Sequence, residues 1–345
     1  MLIAKINIYR ALNTNFRIFL ILLLLTFTSG DLFAQQPGVK MVASGRNAER
    51  IISEQKLQDQ VEYLTDTLFK GRATGTTGAN EAGFWIARRF ASAGLMQIGG
   101  KWSQSFKVGE KTGHNIIGFM PGKRDGMKEM YTIVTAHYDS FGIIDGKLFP
   151  GADSNASGVV AMVSIADMFA RMKELDRVYG KNIIFVGTDA REKDSAGAEA
   201  FWRALKGGQF KDPVNNETIT PAKVHSVVVL DILGCTSAPL QRGRKDYLIM
   251  LSGGQYSYDL RRANEGKGLG LDLGFDYYGS KGFTEMFYSK VGDQGVFNRN
   301  GAMCVVFTSG ITMRTNKTDD VAWTINYEIF KKRIFLIFHW LTKIL

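Results

Sequence analysis

The sequence predicts an α/β protein with a mainly parallel or mixed sheet in one domain, and three observations carry that expectation. Short apolar, β-rich runs recur from residue 115 onward. Helical patterns lie before and between them. The chain has 345 residues, 45% of them apolar, enough for a core that needs no disulfide or metal staple. Two cysteines, Cys235 and Cys304, make neither a disulfide framework nor a Cys-rich zinc module, and spacing leaves open whether they pair.

The first segment reads as a targeting signal. Lys5, Arg10 and Arg17 precede an apolar run from Ile18 to Phe27, followed by small and polar residues up to Ala34. A basic flank, a short apolar stretch and a small residue at a cleavage point are the parts of a secretory signal peptide. The run is about half of the ~20 residues a membrane span needs. The expectation is a signal peptide over 1–34, a polar leader over 35–50 and one domain over 51–345, exported to the periplasm or the extracellular space. Cleavage removes three basic residues and Asp31 and takes the net charge from +10 to +8. No long Lys/Arg block remains, which argues against nucleic acid as a partner. No later segment is apolar enough to span a bilayer.

Leu57, Val61, Leu64 and Leu68 recur at helical spacing, and Gly71-Arg72-Ala73-Thr74-Gly75 breaks that helix. Ala82, Ile86, Phe90 and Ala93 mark a second amphipathic helix, ended by Gly94. The strand-like runs are Asn115–Met120, Tyr131–Ala136, Asn182–Gly187, Val227–Leu230, Tyr247–Leu251 and Ala302–Thr308. Several lack polar alternation, as strands covered on both faces do. A helix from Ala156 carries Val159, Met162, Val163, Ala166, Phe169 and Ala170 on one stripe, broadened by Ile165, Met168 and Met172. A final helix runs from about Tyr327 to Leu345.

Ligands of such sheets bind beyond the carboxyl ends of the strands. The polar residues there are His137-Tyr138-Asp139, the stretch 151–158, Asp189-Ala190-Arg191-Glu192, Asp231 and the segment from Thr308 to Asp320. His, Glu and Asp at separate strand ends are what a hydrolytic zinc site needs.

This order resembles the family-twenty-eight metallopeptidases, the zinc aminopeptidases that also include glutaminyl cyclases. The likeness rests on Tyr63-Leu64 followed by Gly71-Arg72-x-x-Gly75, on His114-Asn115-Ile116-Ile117-Gly118, on Ala136-His137-Tyr138-Asp139-Ser140 and on Gly-Ala-Asp-x-Asn-Ala-Ser-Gly at 151–158. It implies a mixed, mostly parallel central sheet of about eight strands flanked by helices. It implies that His137 and Asp231 bind one metal, that Glu192 binds the other, and that Asp139 orients His137. Three positions depart from the pattern. The bridging carboxylate is Ser154, beside Asp153. The general base is Arg191, which does not deprotonate in proteins. The last ligand, usually histidine, is Asn316 in the gap-free match and Arg314 in a shifted one. The segment Gly292-Asp293-Gln294-Gly295-Val296-Phe297 resembles a Ser-Asp-His-x-x-Phe segment beside the substrate pocket, with Gln294 in place of histidine.

The resemblance therefore implies zinc, while the residues imply no metal or one weakly held ion. The first reading is a non-catalytic or altered member that binds a peptide, small molecule or partner in the cleft, with Arg191, Arg314, Asp293 and Gln294 near the pocket. The second is an active metallo-aminopeptidase in a shifted register, with Asp153 as bridge and Asp189 or another acid as base. Glutaminyl cyclase activity ranks lowest. Tyr277, Tyr278, Phe283 and Phe287 belong either to core or lid packing or to an apolar pocket.

Overall fold

The computed structural model describes residues 50–345 except 124–128, 178, 238, 241–242, 252–253 and 278. The expected signal and leader, and Tyr278, lie outside the described residues. A sheet of eight strands has the order β1 (Ser103–Val108), β2 (Lys111–Met120), β6 (Asn182–Thr188), β3 (Tyr131–His137), β7 (Val224–Leu230), β10 (Cys304–Thr308), β8 (Tyr247–Leu251) and β9 (Asp272–Gly274). The central run β6-β3-β7-β10 is parallel throughout. β1 and β2 pair antiparallel on one side, as do β2 and β6, and β8 pairs antiparallel with β10 on the other. A small hairpin, β4 (Gly142–Ile144) with β5 (Lys147–Phe149), stands apart from the sheet.

Helices cover both faces. The first apolar layer joins α1 (Glu54–Thr65), α2 (Thr77–Ser92), α3 (Ser157–Glu174), α5 (Ser257–Gly266) and α8 (Tyr327–Ile344) to Val134, Phe185, Val228 and Phe307 of the sheet. The second joins α4 (Ala196–Lys206), α6 (Lys281–Lys290) and α7 (Gly292–Arg299) to Ile133, Ile184, Val227 and Val306. Alternate strand residues go to opposite layers, so the central strands are apolar at nearly every position.

Six expected strands are present, with small shifts in their ends, and the stripe on α3 is buried. Leu68 is a correction: it is 83% exposed. Asp66 ends α1 and caps a following tight turn, accepting from the Leu68 amide at 2.8 Å, so the helical period stops one turn before Leu68.

The carboxyl ends of the parallel strands are joined by one side chain. Asn155 donates to the carbonyls of His137 and Leu230 and accepts from the amides of Gly158 and Ile232. It thereby ties β3, β7 and the start of α3 together. A Cβ on Gly158 would come within 2.4 Å of the Asn155 amide and of the Leu230 carbonyl oxygen, so this close approach needs glycine.

Candidate functional site

His137 ends β3 and is buried between two carboxylates. Its Nδ1 lies 3.5 Å from Asp139 Oδ1 and its Nε2 lies 3.5 Å from Asp231 Oδ1. Burial works against an imidazolium, but the two flanking carboxylates outweigh it and push His137 up to about 10. Burial likewise opposes charge on Asp231, and the contact with His137 and the charge of Arg191 outweigh it, so Asp231 is held below its usual value.

Asp139 serves the backbone as well. Its two oxygens accept from the amides of Arg191 and Glu192, at 3.0 and 3.1 Å. This positions the turn after β6. Arg191 Nη1 then donates to Glu192 Oε1 at 3.1 Å. Burial disfavours the Arg191 cation, but Asp231, Glu192, Asp293 and Asp139 overcompensate, so its pKa is raised. A cavity of about 470 Å³ opens beside this pair, lined by Ser195, Lys290, Gly292 and Arg299 among others.

Ser154 and Asn316 come from segments far apart in sequence and meet directly: Ser154 Oγ donates to Asn316 Oδ1 at 2.7 Å. Asp320 holds the two segments in place, accepting from the amides of Asp153 and Ser154 at 2.8 and 3.0 Å. Burial first, and the charge of Asp153 second, push Asp320 up to about 7.

Two sequence expectations need correction. Asp153 does not face the cleft. Its Oδ1 accepts from Ser157 and the Gly234 amide, and its Oδ2 from the Cys235 amide. It holds a loop, with both oxygens engaged by these donors. Arg314 lies over the Trp323 ring, with Nε 3.6 Å from Asp319, and does not line the cavity at Arg191. Asp293 and Gln294 are buried, and Asp293 accepts from Thr188 Oγ1 at 2.5 Å. Tyr277 packs against Phe283 and Phe287 with ring centroids 5.0 Å apart, and Tyr277 and Phe287 belong to the second apolar layer. Cys235 and Cys304 are buried, free thiols.

Asp189 is tied into the surrounding chain. It accepts from Thr74 Oγ1, the His114 amide and the Ala190 amide at 2.7–3.0 Å. Burial and the nearby Asp139 charge still push it up to about 6. A raised folded-state value means that this group favours folding most below about pH 4. That advantage, about 3 kcal/mol, is lost as the pH rises through about 6. Carboxyl NMR should show the midpoint near 6, and Thr74→Val should move it higher by removing a donor. A midpoint near the ordinary aspartate value would contradict this.

The site accepts a simple chemical test for zinc. A two-zinc centre needs a bridging carboxylate and a last ligand with a lone pair free for metal. Here a hydroxyl and an amide stand at those places and satisfy each other. His137 and Asp231 supply two donors, short of the three protein ligands of a catalytic zinc. Among the described residues, no group of three or more His, Cys, Asp or Glu is arranged to hold a metal ion. The residues present do not fit a two-zinc centre.

The sheet order, with a histidine and carboxylates at the carboxyl ends of its parallel strands, is that of an aminopeptidase-like α/β fold. Residues 115–327 match Peptidase family M28, and the chain belongs to that family. Among solved structures, a zinc aminopeptidase from Bacillus subtilis is 13% identical, with a TM-score of 0.63 over 85% of this chain and 95% of that one. The glutaminyl cyclase of Fimbriiglobus ruber is 16% identical, with a TM-score of 0.64 over 84% and 95%. At these identities the likeness concerns the fold. A curated relative, BOS complex subunit ncln of Danio rerio, is 30% identical over 130 residues, 37% of this chain. The match spans only 22% of that relative's length.

Sequence reading missed two organising residues. They are Arg72, of the Gly71-Arg72-x-x-Gly75 motif, whose guanidinium donates to four buried carbonyls, and Asn155, of the motif at 151–158. Nothing in the sequence announces the clamp made by Asn155.

Proposed function

We propose that this chain uses the M28 fold to bind a peptide or other partner at the strand-end cleft, without two-zinc peptide hydrolysis, and that it works outside the cytoplasm. The observation that carries this reading is the hydrogen bond between Ser154 and Asn316, which occupies the two positions where the family resemblance implies a bridging carboxylate and a histidine. Arg191 supports it, because a guanidinium takes no proton from water. Arg191 Nε and Asp293 Oδ1 are buried without hydrogen-bond partners. Buried donors and acceptors of this kind favour a polar ligand that satisfies them. A relative described as a complex subunit is consistent with a binding role. Among the described residues no helix is long and apolar enough to cross a membrane.

Elemental analysis after dialysis, with a panel of aminoacyl substrates, tests the reading. The expected result is less than one zinc per chain and no aminopeptidase turnover. Two tightly held zinc ions, or hydrolysis that chelators abolish, would establish the active metallo-aminopeptidase instead. N-terminal sequencing of the exported protein should give a start near Gln35. An intact Met1 on a membrane-retained product would remove the export part of the proposal.

A further inference from the structure

A second cavity lies between α2 and the β1–β2 edge of the sheet, with Tyr138 in its lining. Its volume is about 630 Å³. One wall is a face of α2 on which Gly83, Ala87 and Ala91 recur every four residues. The opposite wall presents Ser103 and Ser105 of β1 with His114 and Ile116 of β2. Small residues on both sides leave a trough, and along α2 it runs about 12 Å from Gly83 to Ala91. Its surface is mainly hydrocarbon, including the exposed Phe84 and the partly buried Trp102.

The charge of the trough is one-sided. Arg88 and Lys101 line it, and no acidic residue does. Arg88 is held against the wall, its guanidinium carbon 5.0 Å from the centroid of the Phe84 ring. Neither cation forms an ion pair among the described residues. The polar side chains of the inner wall are engaged with each other: Ser103 Oγ and Ser105 Oγ stand 3.2 and 3.1 Å from His114 Nδ1. The Tyr138 hydroxyl donates to the His114 carbonyl.

The geometry points to a binding site for a straight-chain fatty-acid anion, with the acyl chain in the trough and the carboxylate at one of the lining cations, Arg88 or Lys101. An apolar slot with cations and no acids complements an amphiphile that is apolar along its length and negative at one end.

Equilibrium dialysis of the purified protein with dodecanoate, below micelle formation, tests the assignment. One saturable site is expected, with affinity for dodecyltrimethylammonium at least about tenfold weaker, since its head group carries the opposite charge on the same length of alkyl chain. Ala87→Trp fills the trough and should weaken dodecanoate by about tenfold or more. The double variant Arg88→Glu with Lys101→Glu changes exposed residues only and should reverse the order of the two amphiphiles. Circular dichroism establishes that each variant is folded. Unchanged dodecanoate binding in folded variants, or equal affinity for both amphiphiles, would overturn the site. A hydrophobic peptide that binds there more tightly than dodecanoate would overturn the acyl assignment. None of these outcomes depends on zinc or on the cleft at Arg191.

Discussion

Arg72→Ala should cost about 3–5 kcal/mol of stability, because several buried carbonyls lose a charged donor, each unmade bond costing about 1–3 kcal/mol with partial relief by relaxation. Arg72 is 1% exposed, and its guanidinium donates to four backbone carbonyls. They are those of Leu64 at the end of α1, Tyr138 after β3, and Pro150 and Gly151 before the turn that carries Ser154. Burial lowers its pKa to about 10, while Asp320 and Asp139 act to raise it, so it remains charged at neutral pH. Alanine leaves four inward carbonyls unpartnered and opens a cavity. Lysine keeps the charge but has one nitrogen, which cannot reach carbonyls spread around a planar fork, so it should restore only part of the loss. Denaturant unfolding at neutral pH measures both. A loss below about 1 kcal/mol in the alanine variant would mean that the arginine acts as an exposed one does.

The role of Arg72 shows where the sequence stops being legible. The central strands could be read because both faces are covered, which makes their sequences continuous apolar runs. β1 could not, because it is an edge strand, and Ser103-Gln104-Ser105-Phe106 shows only partial burial. β9 has three residues, too few for a period to show. At the site, His137 stands beside Asp231, Arg191 bonds its neighbour Glu192, and Ser154 meets Asn316. The direction of Asp153 was not legible in the sequence. It neighbours Ser154, and the choice of which side chain faces the cleft is made by the amides of Gly234 and Cys235, which donate to Asp153, and by the Asp320 carboxylate, which accepts from the Asp153 and Ser154 amides; all three are brought close only by the fold.

The combined change Ser154→Asp, Arg191→Glu, Asn316→His should convert the chain into a zinc-binding one. The positions are in place for it. Residues 154 and 316 already touch, His137 and Asp231 stand 3.5 Å apart, and Asp320 fixes the supporting loops. Removing Arg191 has its own effect. The guanidinium is mostly buried, with 17% of its side chain exposed, and makes one charge-assisted hydrogen bond with Glu192. Arg191→Ala should therefore cost about 1.5–3 kcal/mol, between the values for exposed and deeply buried pairs. The triple variant adds two carboxylates to a cleft that holds Glu192, Asp231 and Asp293, so without metal it should be less stable than the wild type. Zinc reverses this by binding the folded state alone, adding about 2.7 kcal/mol at a hundredfold excess over Kd. Thermal unfolding with chelator and with zinc reads the difference: a rise for the triple variant and none for the wild type. A folded triple variant that takes up no zinc would show that the strand ends have moved away from metal-binding geometry. The loss of the centre would then lie in the scaffold as well as in the three side chains.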